Sequence, residues 1–458
     1  MFDGVNVVSC YVKPLRRRNW VLLLMLATVG CVAQADDLVS IYAKARDADP
    51  VIKAARHEMA ALLEAKPQAL AALLPKLSYE YDKTYTRQSV LRSNNPVYAQ
   101  GVANYTGINQ TLTLTQPIFK LSSWIGYGQA EDKVKQAVAT YAAAEQDAMV
   151  RTATAYLAGL AAGDALALAT AERDAIKRQL DLVEARYRSK LVAVVDLHEA
   201  RARFAIKDAD VLAARDELED RRQALREITA EMPGALVPLR ANWVPLSPQP
   251  ADVDHWVSAA ESQNLLTEAR RHAVAVARQE MRRQQAEHAP VLDLVATDNR
   301  NDTGGSLFGG GSKVSTEAVM LRLMVPIFSG GATVSLAREA TERYLQSMED
   351  MERQRRQAER QARAAFLTVK NGVARIKAFD EGVVSAESAS RLRVEGYAAG
   401  INTTLQVLDA ERELFAAKRD AAKARYDYFL NRLKLKQAVG TLSEVDLADI
   451  SREMLVRE

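Results

Sequence analysis

The chain has 458 residues, 48% of them hydrophobic and 26% charged, with a formal net charge of +3. That length accommodates two or three ordinary domains, and the near-neutral balance gives no electrostatic case for nucleic acid as a partner. Heavy alanine use with only 13 prolines suits long helices better than a compact α/β enzyme.

The N-terminal stretch carries an address. Lys13 and Arg16-Arg17-Arg18 form a basic region, Trp20 to Val29 is a short apolar run, and Ala33-Gln34-Ala35 fits the small-x-small cleavage rule. Residues 1–35 are therefore expected to be a signal peptide and Asp36 the first mature residue. Both cysteines, Cys10 and Cys31, would leave with it, so the mature chain has no thiol for a disulfide or a metal. A competing reading makes Thr28-Val29-Gly30-Cys31 a lipoprotein signal with Cys31 acylated. Threonine stands there where such signals favour leucine.

In chain order, a helical segment is expected from Leu38 to Leu74, followed by strand-like runs at Leu77 to Arg87 and Gly107 to Gln116 around a polar loop containing Ser93-Asn94-Asn95-Pro96. The second run ends in Pro117-Ile118-Phe119. Ser122 to Tyr187 then lacks proline for about 65 residues, or roughly 100 Å of helix. A turn follows, and the chain returns as a shorter helix with Leu197, Phe204, Val211, Leu218 and Leu225 seven apart, the spacing of a left-handed supercoil. Pro233 to Pro250 reads as an irregular connection.

Everything then recurs about 210 residues later, which is the period of a duplicated domain and not of a solenoid. Leu112 to Phe119 and Leu321 to Phe328 share the frame Leu-x-Leu-x-x-Pro-Ile-Phe. Helical residues Trp256 to Ala289 precede strands at Val291 to Thr297 and Val314 to Val325, separated by a glycine-rich loop through Gly309-Gly310-Gly311. A second rod, Thr333 to Tyr397, turns and returns with Val407, Leu414, Ala421, Tyr428 and Leu435 in the matching register. The expected organisation is a first repeat at 36–232, a linker at 233–252, a second repeat at 253–446 and a tail at 447–458. Pro117 and Pro326 mark the strand-to-helix joints, where proline would end the ladder and suit a helix's first turn.

Four amphipathic strands cannot close a barrel, and an open edge is not tolerated in lipid. Three chains would supply twelve. The expected fold is mostly α with a transmembrane β-barrel portion, in which duplicated strand-pair and long-helix halves form, as a trimer, a 12-stranded barrel and an α-helical periplasmic tunnel. A small soluble sheet capping a helical bundle is the alternative that the alternation leaves open.

From about Leu38 to Ile450 the sequence resembles the TolC family of outer-membrane efflux and type I secretion tunnels. The resemblance rests on Leu112 to Phe119, Arg186-Tyr187 through Ala200, Leu321 to Gly331, Gly396-Tyr397 through Ala410, and Tyr426 to Asp446. It looks most similar to the type I secretion branch. The resemblance implies a homotrimer in the outer-membrane lipid of a Gram-negative bacterium that docks a periplasmic adaptor (membrane fusion) protein and an inner-membrane transporter of ABC or RND type.

It also implies a gate at the helical turns. The family's latch tyrosine falls on Tyr397 and its first-half acidic partner on Asp196. The latch arginine is replaced by Asn402 and the first gate aspartate by Gln406, whereas the second gate aspartate is kept as Asp409. Gly400 fits the family's tight turn, but Lys190 stands in the matching first-half position, which leaves open whether the two tips are equivalent. Three Asp409 carboxylates in a ring would favour cations.

No catalytic, cofactor or metal constellation is found in the sequence. The five histidines (His57, His198, His255, His272 and His288) lack ligand spacing, and Gly309 to Lys313 lacks the spacing of a phosphate loop. The expectation is a channel and not an enzyme. The competing class, a soluble periplasmic coiled-coil adaptor or structural protein, would need one helical hairpin and an attached β domain instead of two matched halves with strand pairs.

Overall fold

The computed structural model describes residues 36–92, 101–240, 243–305 and 310–454. The expected leader, both cysteines, the 93–96 loop and residue 309 of the glycine loop lie outside the described residues.

Three short helices open the fold: α1 (Leu38–Ala48), α2 (Pro50–Leu63) and α3 (Ala65–Ala71). Asp37 caps α1 by accepting from the Ser40 amide at 2.9 Å. Asp49 ends α1 and caps α2, where Pro50 occupies the first turn and needs no amide partner. Asp49 is only 4% exposed, and its charge is matched by Arg151 of the following rod.

Strands β1 (Lys76–Val90), β2 (Gly101–Lys120), β3 (Val291–Thr303) and β4 (Ser312–Met324) form one antiparallel sheet in the order β1-β2-β3-β4. The two halves thus share a single sheet, joined where β2 pairs β3. Cross-strand partners lie on one face, so the registers sort the side chains. Leu77 and Tyr79 share a face with Leu114 and Leu112, and that face continues through Leu294 and Ala296 to Leu321 and Val319. This face is exposed and apolar at the helical end. The opposite face carries Thr111, Asn109 and Asn299, which are hydrogen-bonded to one another at 2.8–3.3 Å, and its β2 residues are the less exposed ones, as on the concave side of a curved sheet. Every strand runs past its expected end toward the loops, β4 by only two residues, and in β3 backbone pairing continues through Asn, Asp and Arg residues that break the apolar alternation.

The rods are α4 (Leu121–Arg188), with 68 residues, and α8 (Ala332–Ala398), with 67; the returns α5 (Val194–Thr229) and α9 (Thr404–Val439) have 36 each. Helices α6 (Val253–Gln263) and α7 (Leu265–Gln285) precede β3, and α7 packs along both α4 and α8. The α9 heptad residues Val407, Leu414, Ala421, Tyr428 and Leu435 are all buried; on α5, Leu197, Val211 and Leu225 are. Helix α4 is long and apolar enough by composition to cross a membrane, but Ala153, Tyr156, Leu157 and Leu160 are buried in the helical core.

That core gathers α1, α4, α6, α8 and α9 at mid-length. Trp243, from the irregular stretch between the halves, lies 4.5 Å from the Phe429 ring and 5.1 Å from Tyr428. A further helix, α10 (Glu444–Met454), occupies most of the stretch expected as a tail. Leu447, Ile450 and Met454 fall on one helical face and are buried against this core, and Ser451 donates to Asp37 at 3.0 Å.

The two joints differ from each other and from expectation. Pro117 lies within β2, at a shift of register between Pro117 and Phe119, and β2 passes into α4 without a loop. Pro326 lies beyond the end of β4 in an irregular stretch that closes with Gly330 and Gly331 at φ 64° and 83°. Neither proline occupies the first turn of a helix: Pro117, lacking an N–H, sits where the β2–β3 ladder shifts register, and Pro326 follows a ladder that has already ended at Met324.

Candidate functional site: the helical tips

The α4–α5 and α8–α9 turns have the same backbone. Ser189, Lys190 and Leu191 donate to the carbonyls of Ala185, Tyr187 and Arg186 at 2.9–3.2 Å, and Ala399, Gly400 and Ile401 donate to those of Glu395, Tyr397 and Gly396 at 2.8–3.1 Å. The bond from Leu191 to Arg186, like that from Ile401 to Gly396, closes a rod in the manner of a Schellman motif. Gly400 has φ 75° and Lys190 φ 62°. Lysine thus adopts the conformation glycine would supply, at a cost of about 1 kcal/mol, and the two tips match in backbone despite the substitution.

The site residues expected from the resemblance are close together in the fold, but several point elsewhere. Asp196 occupies the third position of α5, where its Oδ2 accepts from the Ala193 amide at 3.2 Å. Gln406 holds the matching position of α9: its Oε1 accepts from the Thr403 amide at 2.9 Å while the Gln406 amide donates to the Thr403 hydroxyl at 3.3 Å. Both side chains therefore turn back onto their own helix starts. Among the described residues Asp196 makes no hydrogen bond to Tyr397.

Tyr397 is 4% exposed and is held by other groups. The Arg186 guanidinium stacks 4.3 Å from its ring centroid and donates to its carbonyl at 3.2 Å, and the Thr404 hydroxyl bonds its phenol at 3.4 Å. Asn402 exchanges two hydrogen bonds with Arg393 of α8, at 3.1 and 3.2 Å. The close approach requires Gly396, since a Cβ there would lie 2.1 Å from the Asn402 amide nitrogen. The repeat held a clue to Arg186, which stands at the first-half position matching Gly396.

Asp409 does not stand alone. Its Oδ1 accepts from Arg203 of α5 at 3.2 Å, and the same guanidinium nitrogen lies 3.8 Å from Glu199, the repeat counterpart of Asp409. With side chains 28% and 38% exposed, the Arg203–Asp409 pair contributes only about 0.2–1 kcal/mol, but it fixes the carboxylate and offsets its charge. Higher along the same helices, Glu172 of α4 is 1% exposed and lies 3.0 Å from Lys207 of α5 and 3.3 Å from Arg419 of α9. Burial opposes the Lys207 charge, but the carboxylates of Glu172 and Asp210 beside it outweigh burial and hold the ammonium pKa above its usual value. Tyr426 donates to Asp164 at 2.6 Å, and burial, reinforced by that carboxylate, pushes its phenol pKa up.

The family profile described as "Outer membrane efflux protein" matches residues 41–231 and 256–441, most of both halves. The chain belongs to that family. Outer membrane protein TolC of Escherichia coli (strain K12) is 32% identical over 441 residues, covering 94% of this chain and 87% of that protein. The proteases secretion protein PrtF of Dickeya chrysanthemi is 30% identical over 444 residues, covering 95% of each. The fold is that of the Campylobacter jejuni CmeC outer membrane channel, with a TM-score of 0.76 at 15% identity over 91% of this chain and 89% of that one. Membership in the outer membrane efflux protein family makes this chain an outer-membrane export channel with a periplasmic helical tunnel. The adaptor alternative falls with it.

Proposed function

We propose that three copies close into one duct, a twelve-stranded barrel above a tunnel of twelve long and returning helices, through which proteins, small molecules or both leave the cell. The observation that carries this reading is the sheet. It has two unpartnered edges, β1 and β4, an apolar outward face at its helical end and a polar concave face. An open edge in lipid leaves backbone groups without partners, and pairing β1 of one copy with β4 of the next removes every edge at once. Each copy supplies two repeats, 36–232 and 253–446, joined by 233–252, after loss of residues 1–35. A periplasmic adaptor and an inner-membrane transporter of ABC or RND type would complete the path. PrtF is named for protease secretion, which supports protein cargo and the type I class of transporter.

The tunnel entrance in this reading lies at the tips, with Asp409 as its charged gate residue, Arg203 as its counter-charge, and Tyr397, Asn402, Gln406, Asp196 and Gly400 as the residues that shape the turns. In planar bilayers the protein should conduct with a preference for cations. Asp409→Asn should lower the cation-to-anion permeability ratio, because three Arg203 guanidinium groups then lose their strongest acidic partner at the constriction. A ratio unchanged by that substitution would place the constriction elsewhere.

A further inference from the structure

The two hairpins of one chain, α4–α5 and α8–α9, are joined differently along their length. At mid-length they share one apolar core, to which α4 contributes Tyr156, Leu157 and Leu160, and α9 contributes Ala424, Phe429 and Leu433. Below Asp164 that sharing stops. The lower apolar cluster, Leu180, Val183, Leu197 and Ala200 with Val192 and Phe204, draws only on α4, α5 and their turn. Asp164 lies 24 residues from the end of α4, so this lower zone is roughly 36 Å long.

Across that zone the hydrogen bonds and ion pairs between the hairpins, among the described residues, are Asp164–Tyr426, Glu172–Arg419, Arg203–Asp409 and Arg186–Tyr397. They differ in burial. Arg203–Asp409 is open to water, so its partners can be rehydrated when the hairpins part. Glu172 is not: at 1% exposure it has no water shell of its own, and it touches both hairpins, Lys207 on one side and Arg419 on the other. Losing one partner would leave a buried carboxylate short of counter-charge, which is far less favourable than separating an exposed pair.

We propose that Glu172 is the positioning residue that sets how far up the tunnel the hairpins separate: they part from the tips to this level and stay joined above it. This rests on the export-duct reading and adds the height at which opening stops. Below Glu172 the buried apolar cluster among the described residues belongs to one hairpin, so parting there uncovers the Tyr397 ring under Arg186 but divides no shared apolar core, whereas above Asp164 separation would uncover Tyr156, Leu160 and Phe429.

The test is single-channel recording of the full-length protein, with Glu172→Gln, Glu172→Asp and Arg419→Gln compared with Asp409→Asn. Glu172→Gln should raise resting conductance several-fold and more than Asp409→Asn does, Arg419→Gln should raise it in the same direction, and Glu172→Asp should restore most of the closed behaviour. A merely structural role would change expression and assembly without this graded order. Assembled Glu172→Gln and Arg419→Gln channels whose resting conductance equals wild type would overturn the proposal. If Glu172→Gln does not assemble, Arg419→Gln decides, since the Arg419 side chain is 43% exposed and tolerates replacement. Absence of any conductance from the wild-type protein would instead count against the duct itself.

Discussion

Leu321→Arg should prevent stable insertion in the outer membrane, whereas Thr316→Arg on the same strand should not. Leu321 is 65% exposed and sits midway along Val319, Leu321 and Leu323, directly opposite Leu294. An arginine on the lipid face of a barrel costs up to about 2–4 kcal/mol at mid-bilayer and less toward the interface; Leu321 lies three residues from the helical end of β4, and a threefold assembly incurs the cost three times. Thr316 pairs with Asn299 on the concave face, where a charge meets water in the bore. Membrane fractionation together with heat-modifiable migration reads both variants. Equal assembly would mean that the sheet faces have been assigned the wrong way round.

Phe429→Ala should be the most damaging single change to the helical part. The ring is 0% exposed, 4.5 Å from Trp243 and 5.8 Å from Tyr428, at the place where α9 meets the connection between the halves. Removing a fully buried phenylalanine costs about 3–5 kcal/mol, the lost transfer energy plus a cavity that neighbours on rigid helices cannot fill. Denaturant unfolding followed by helical circular dichroism should show that loss. Leu191→Ala, at a turn position 73% exposed, should change stability by less than about 0.5 kcal/mol. A loss below about 1 kcal/mol for Phe429→Ala would show that this aromatic cluster is not what ties the halves together.

The rods were legible in the sequence because nothing in Ser122 to Tyr187 or Thr333 to Tyr397 interrupts a helix, and their returns because heptad spacing survives in both copies. Strand cores were legible from alternation, but the loop-side ends of β1, β2 and β3 were not. There Asn299, Arg300, Asn301 and Asp302 keep the backbone ladder while abandoning the apolar pattern. The joints looked alike because the motif Pro-Ile-Phe repeats; what separates them is that β2 still pairs β3 through Lys120, whereas β4 ends before Pro326.

The tip residues show a different limit. Resemblance put Asp196 into a latch with Tyr397 and Gln406 at a gate position, yet each occupies the third position of its own helix, where a polar side chain reaches back to the capping amide. That repeat-matched placement could have been read from the sequence by aligning the two returns. The Arg203–Asp409 contact could not: its partners are 206 residues apart on different helices, and only the packing of α5 near α9 brings them within reach. Glu172 was hidden for the same reason, as one acid among many on a rod whose burial depends on two other helices.

The central claim is that one chain holds a third of a closed barrel, and the mass of the protein extracted from outer membranes in mild detergent tests it most directly. Native mass spectrometry should give a particle of three mature chains that persists until heating. A single-chain mass under the same conditions would leave β1 and β4 with open edges and contradict the account.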